Sequence, residues 1–192
     1  MKGTCTYMYE ALAVTGYKPN ELGIFDEKHP HLPFLKDAIK EKLRALKEEI
    51  DFKWLITSGQ PGVEQWAAEA LLALKNDYPD LQLATLAPFY EQEERWKEVW
   101  KATYEMIWSN SDFTDYITKR PYENPAQLRM KNQFIIEKSH AFLVLYDEFT
   151  PGSPDYYLTY AKKKHEASDY PVFYLTPEDI EESIRARQED WN

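Results

Sequence analysis

Short apolar runs alternate with helical patterns along almost the whole chain, and this alternation narrows the folds open to it. "ALAVT" (11–15), "KWLITS" (53–58), "LQLATLAP" (81–88), "AFLVLYD" (141–147) and "PVFYLT" (171–176) read as buried strands, and "DYITK" (115–119) as a less apolar sixth. Helical patterns fall between them. One runs from Phe34, with Leu35, Ala38, Ile39, Lys42, Leu43 and Leu46 in spacing. A second starts at Val63, where Val63, Trp66, Ala67, Ala70, Leu71 and Leu74 mark one face. A third is predicted over Gln92–Asn110 and a fourth over 125–139, with Pro125 in its first turn. The last two cover 154–167 and 177–190, the final one opened by Thr-Pro-Glu.

Such alternation builds βαβ units. The expected fold is α/β, doubly wound, with a mostly parallel sheet and helices on both faces. No repeat or linker interrupts it, so residues 11–192 are expected to form one domain, preceded by an extension over 1–10. In this fold class, ligands bind beyond the carboxyl ends of the strands, where the strand order reverses. Attention therefore falls on the loops "TGYKP", "SGQPGVE", "APFYEQE" and "YDEFTPGSP".

Composition closes off other classes. Apolar residues at 43% and aromatics at 15% suit a packed core. No apolar run reaches the roughly 20 residues of a membrane span. No secretory signal is apparent at the N-terminus, and Cys5, the only cysteine, cannot form an internal disulfide. The expected location is the cytoplasm. A net charge of -10 makes nucleic acid an unexpected partner, and the basic run Lys162–Lys164 reads as a solvated helix face.

"SGQPGVE" leads from a strand into a helix. Gly59 and Gly62 permit a sharp turn and close approach of a ligand to the backbone. The free N–H groups at the helix start favour an anion, although Pro61 removes one donor. The stretch is neither the dinucleotide fingerprint nor a P-loop. A phosphate-contacting turn and a plain corner both fit it. Glu64 would repel phosphate there, which turns its expected role toward ribose hydroxyls or acid–base chemistry. Ser58 and Gln60 belong to the same turn, and Trp66 follows either as core or as a pocket border. After the first strand, Gly16, Tyr17 and Lys18 read as a ligand-facing turn, with Tyr17 stacking on a base and Lys18 meeting phosphate, or as a tight solvated turn. Gly152 and Ser153 precede Pro154 at a helix start and offer either an anion contact or an N-cap. His29, His31, His140 and His165 lack zinc-ligand spacing, so no metal is expected. No nucleophile elbow is present.

Five fragments together resemble the YpsA family of Firmicutes: "AVTGYKPNELGIF", "LITSGQPGVEQWAAEA", "YPDLQLATLAPFYEQEERW", "RPYENPAQLRMKNQFIIEKS" and "FLVLYDEFTPGSP". The likeness covers about residues 11–185. It implies a Rossmann-like fold of the wider SLOG group, which includes DprA and the LOG phosphoribohydrolases, and a nucleotide-type pocket. It also brings forward Arg129, Lys131 and Asn132, which would otherwise read as exposed helix polars. The LOG turn has the form Pro-Gly-Gly-x-Gly-Thr-x-x-Glu. Here Gln60 and Pro61 interrupt the glycines, Val63 stands at the threonine, and Glu64 does not keep the spacing. What the resemblance implies is binding or sensing of a nucleotide or ADP-ribose-like ligand. Two alternatives accompany it. One is an N-glycosidic-bond-cleaving enzyme using Glu64, and the other a non-enzymatic partner-binding protein of cell division. Protein partners and a homo-oligomer belong to the same expectation.

Overall fold

The computed structural model describes residues 9–189. Most of the expected N-terminal extension, residues 1–8 with Cys5, lies outside the described residues. Six strands form one sheet: β1 (Ala11–Thr15), β2 (Trp54–Thr57), β3 (Gln82–Ala87), β4 (Phe113–Tyr116), β5 (Ala141–Leu145) and β6 (Val172–Leu175). Their spatial order is β4-β3-β2-β1-β5-β6, and every neighbouring pair is parallel. Six helices connect and follow them: α1 (Leu32–Ile50), α2 (Val63–Leu74), α3 (Glu98–Asn110), α4 (Ala126–Lys138), α5 (Pro154–Ala167) and α6 (Pro177–Glu189). The doubly wound α/β arrangement expected from the alternation, Rossmann-like as the resemblance implies, is the one observed.

The strands are apolar on both faces because both are covered. Leu12 and Val14 of β1 point into a larger core with α1, α2 and α3, including Ile39, Leu43, Trp66 and Leu71. Ala11 and Ala13 point the other way, into a core with Ile135, Ile136, Tyr157 and Leu158 of α4 and α5. Each fully buried Leu or Ile contributes about 1.5–3 kcal/mol. Beside α4 the second face opens into an apolar groove of about 520 Å³, lined in part by Trp54, Leu86, Phe113 and Phe134.

The chain winds outward from β1 through β4, then crosses back to β5 and β6. The reversal sits between β1 and β5, so the loops leaving these two strands diverge and open a crevice.

Three local readings need correction. The third helix starts at Glu98 rather than Gln92. Glu91 holds a left-handed φ of 55°, and the bonds Glu94 N–H to Glu91 O and Trp96 N–H to Glu93 O make turns. Trp96 keeps helical spacing with Val99 and Trp100 yet belongs to the turn. β4 begins two residues before "DYITK", where the Asp112 carboxylate accepts the Leu83 N–H and leads the edge strand into register. The loop after Gly16 contains a short 3-10 turn, Pro19–Leu22, closed by Gly23 at φ 69°.

Candidate functional site

The crevice at the strand reversal is a cavity of about 380 Å³. Lys18 comes from the β1 loop and Gln60 from the β2 turn. Arg129, Lys131 and Asn132 line it from α4, and Ser153, Tyr156 and Tyr157 from the start of α5. Thr15 forms part of the floor, and Pro125 and Leu128 supply apolar wall. Three of these side chains are cations and none is a carboxylate. In a chain of net charge -10 that local balance is the reverse of the whole.

Lys131 and Asn132 are buried, while Lys18 and Arg129 are exposed. The Lys131 ammonium donates to the Tyr157 hydroxyl at 2.8 Å. Burial pulls its pKa down to about 8; Glu64 nearby opposes that shift and Lys18 adds to it. Burial, with the charge of Glu64, pushes the Tyr157 phenol well up, so it stays a neutral hydroxyl. The Asn132 side-chain oxygen is buried without a hydrogen-bond partner among the described residues. Buried polar atoms are nearly always paired, and this unpaired one belongs to a residue that lines the cavity.

The "SGQPGVE" turn behaves differently. Glu64 is buried in the first turn of α2. Its Oε1 accepts the Thr15 hydroxyl at 2.8 Å. Its Oε2 accepts the Thr57 hydroxyl at 3.1 Å, and the Ser58 amide and hydroxyl at 2.8 and 2.6 Å. These four bonds match the roughly four lone-pair sites of a carboxylate. Glu64 therefore ties the ends of β1 and β2 to α2. Gly62 has φ 98°, and a Cβ there would strike the carbonyl oxygen of Tyr17. A Cβ on Gly16 would lie 2.6 Å from the Val63 side chain, and one on Gly59 2.7 Å from the Tyr104 ring. The glycines permit close approach, as expected, but what approaches is protein. Even the Val63 N–H at the helix start is taken, by the Tyr17 carbonyl at 3.2 Å. Trp66 packs in the core and does not border the cavity.

The two switch-point loops are strapped together. Tyr17 is buried rather than open for stacking. Its hydroxyl donates to the Thr150 carbonyl at 2.6 Å and accepts the Asp147 N–H at 3.0 Å. Ser153 makes no side-chain cap. Its N–H and hydroxyl both reach Glu21 Oε1, at 2.8 and 3.1 Å, while Glu21 Oε2 accepts the Lys18 N–H at 2.7 Å. The anion at the start of α5 is thus the protein's own, and Gly152 packs against it. Of the histidines, His140 accepts the Ala11 N–H at 3.1 Å, a structural use.

The match to known proteins agrees with the fold. The model of YpsA, described as the YspA SLOG family, matches residues 12–180. This chain belongs to the YpsA family. It is 49% identical over 183 residues to a UPF0398 protein of Bacillus thuringiensis strain Al Hakam, covering 95% of this chain and 98% of that one. A UPF0398 protein of Halalkalibacterium halodurans is 48% identical over 172 residues, 90% of each chain. Among solved structures, DNA processing protein A of Helicobacter pylori superposes with a TM-score of 0.55 at 14% identity, over 96% of this chain and 83% of that chain. At that identity the likeness speaks to the fold. That protein is described as binding single-stranded DNA. No helix among the described residues is long and apolar enough to cross a membrane, and no three of their His, Cys, Asp or Glu side chains are grouped to hold a metal ion.

Of the predicted site residues, Lys18, Gln60, Arg129, Lys131, Asn132 and Ser153 meet at the cavity. Gly16, Tyr17, Ser58, Gly59, Gly62, Glu64 and Gly152 form the frame behind it. Thr15, Tyr156 and Tyr157 line the cavity without being among the predicted residues. Thr15 ends β1, and the tyrosines occupy the first turn after a strand-end loop, so position in the βα unit is the signal that could have found them.

Proposed function

We propose that the protein binds an anionic, nucleotide-like small molecule, of the nucleotide-sugar or ADP-ribose kind, in the switch-point cavity and acts as a sensor of it. The carrying observation is the lining itself: Lys18, Arg129 and Lys131 converge with no carboxylate among them, beside the unpartnered Asn132 oxygen. Arg129 and Lys18 suit phosphate oxygens. Asn132 suits a hydroxyl or amine of the sugar or base. Tyr156, 68% exposed at the rim, offers a ring face. Cleavage of a glycosidic bond has less support, because the Glu64 carboxylate already accepts four hydrogen bonds within the frame.

Thermal unfolding with millimolar AMP, ADP-ribose, ribose 5-phosphate and a single-stranded oligonucleotide tests this reading. A ligand at about 100 times its Kd adds about 2.7 kcal/mol, equivalent to roughly 5–10 °C for a chain of this size. The small phosphate ligands are expected to give the shift, and Arg129→Ala to remove most of it. Absence of a shift with every small ligand would overturn the proposal. A shift with the oligonucleotide alone would redirect it toward nucleic acid.

A further inference from the structure

A second chamber of about 420 Å³ adjoins the cationic cavity. The two share Lys18, Gln60 and Leu128 in their walls, so they lie side by side across these three side chains. Their linings differ in kind. The second chamber is walled by Phe25, Phe89, Trp96 and Trp100. It exists because α3 starts late: the turns before Glu98 bring Trp96 to the chamber wall instead of burying it along a helix.

Neighbouring side chains hold the walls: Phe89 packs against Tyr122 with ring centroids 5.1 Å apart. Trp96 meets Tyr104 edge-to-face at 5.4 Å. The Gln92 amide donates to the Ser58 carbonyl at 2.7 Å, which ties this wall to the β2 turn. Lys97 donates to the Phe25 carbonyl at 3.3 Å and joins the opposite rims. The Gln60 side chain stands where the chambers meet and makes no hydrogen bond to a described residue. Flat rings with a free amide at their edge are what a planar heterocycle with a hydrogen-bonding edge requires.

We infer that this aromatic chamber takes the base of the same ligand whose phosphates lie in the cationic cavity, with Lys18 and Gln60 beside its sugar. The inference rests on the anion-site reading of the neighbouring cavity, and it narrows the ligand to a nucleotide rather than a sugar phosphate. It also assigns Trp96 and Phe89 as the residues that discriminate between the two.

Calorimetric titration of the full chain with ribose 5-phosphate and with AMP decides the matter. AMP is expected to bind about tenfold more tightly, as stacking of one base would give. Trp96→Leu should erase most of that advantage while leaving ribose 5-phosphate within about twofold of the unaltered protein. Phe89→Leu is the second variant, should Trp96→Leu fail to fold by circular dichroism. Equal binding of AMP and ribose 5-phosphate would overturn the base chamber and leave the anion site standing. So would an AMP advantage that survives both substitutions, or an equal loss of both ligands. Binding of neither ligand would overturn the anion site and the base chamber together.

Discussion

Two lysines among the described residues are almost wholly buried, Lys47 on α1 at 5% exposed and Lys131 on α4 at 2%, and they are satisfied in opposite ways. The Lys47 ammonium donates to Asp51 at 2.6 Å, to the Phe52 carbonyl at 3.0 Å and to Asp80 at 2.7 Å. All three donors are used. With Lys53, it holds the Asp80 carboxyl down at about 2. The Lys131 ammonium has one hydrogen bond, to an uncharged phenol, and the same side chain lines the cavity. One lysine staples the approach to β2, at the amino end of the sheet; the other stands at the carboxyl end. A buried charge is costly unless paired. Where the partners are all present the charge belongs to the structure, and where they are missing beside a cavity it is left for the ligand proposed above.

Replacing each lysine by methionine, which keeps most of the stem volume, is the direct way to break this contrast. Lys47→Met leaves the Phe52 carbonyl and two aspartates without their common donor. A loss of about 2–4 kcal/mol in urea unfolding is expected, with ligand affinity of the folded protein unaltered. Lys131→Met removes a desolvated cation with a single neutral partner. Its stability is expected to stay within about 1 kcal/mol of the unaltered protein or to rise. Ribose 5-phosphate binding should weaken by roughly 10–100-fold, the effect of one charge-assisted contact. If Lys131→Met proved the more destabilising of the two, the distinction between staple and site would fail.

The same contrast explains what could be read from the sequence. Hydrophobic period carried the fold, because buried strands and amphipathic helices impose their spacing on every residue of an element. It placed the start of α2 at Val63 and the whole span of α5. It failed at Trp96, where the spacing of a helix continued through a turn. Glycines pointed to close backbone approach at Gly62 and Gly16, and that approach occurs. A glycine does not say what approaches, and here it is Tyr17 and Val63 rather than a ligand. The α4 residues show the reverse. Period alone would leave Arg129, Lys131 and Asn132 in solvent, and only the family likeness singled them out. Lys131 and Asn132 are buried because α4 packs over the small residues Ala11 and Ala13 beside the crevice, a tertiary fact that no local window contains. Glu21 was invisible for the same reason: it reaches Ser153 across 132 positions of chain.

The smallest expected effect is the most specific to Lys131. Burial brings its folded pKa to about 8, below the roughly 10.4 of an unfolded lysine. Between those values the unfolded chain holds the extra proton, so this group makes the ligand-free protein more stable as pH rises from about 8 to about 10.4. An anion in the cavity favours the ammonium, so affinity runs the other way. From pH 7 to pH 8 the charged fraction falls from about nine-tenths to about one-half, and ribose 5-phosphate should bind about twofold more weakly. By pH 9 the loss should approach tenfold. The ligand's own phosphate titrates near pH 6 and stays a dianion across this window. Titrations at pH 7, 8 and 9 on the unaltered protein and on Lys131→Met isolate the group, since the variant should lose this slope. An unchanged slope in Lys131→Met would assign the titration to another residue and leave Lys131 a buried amine with no part in binding.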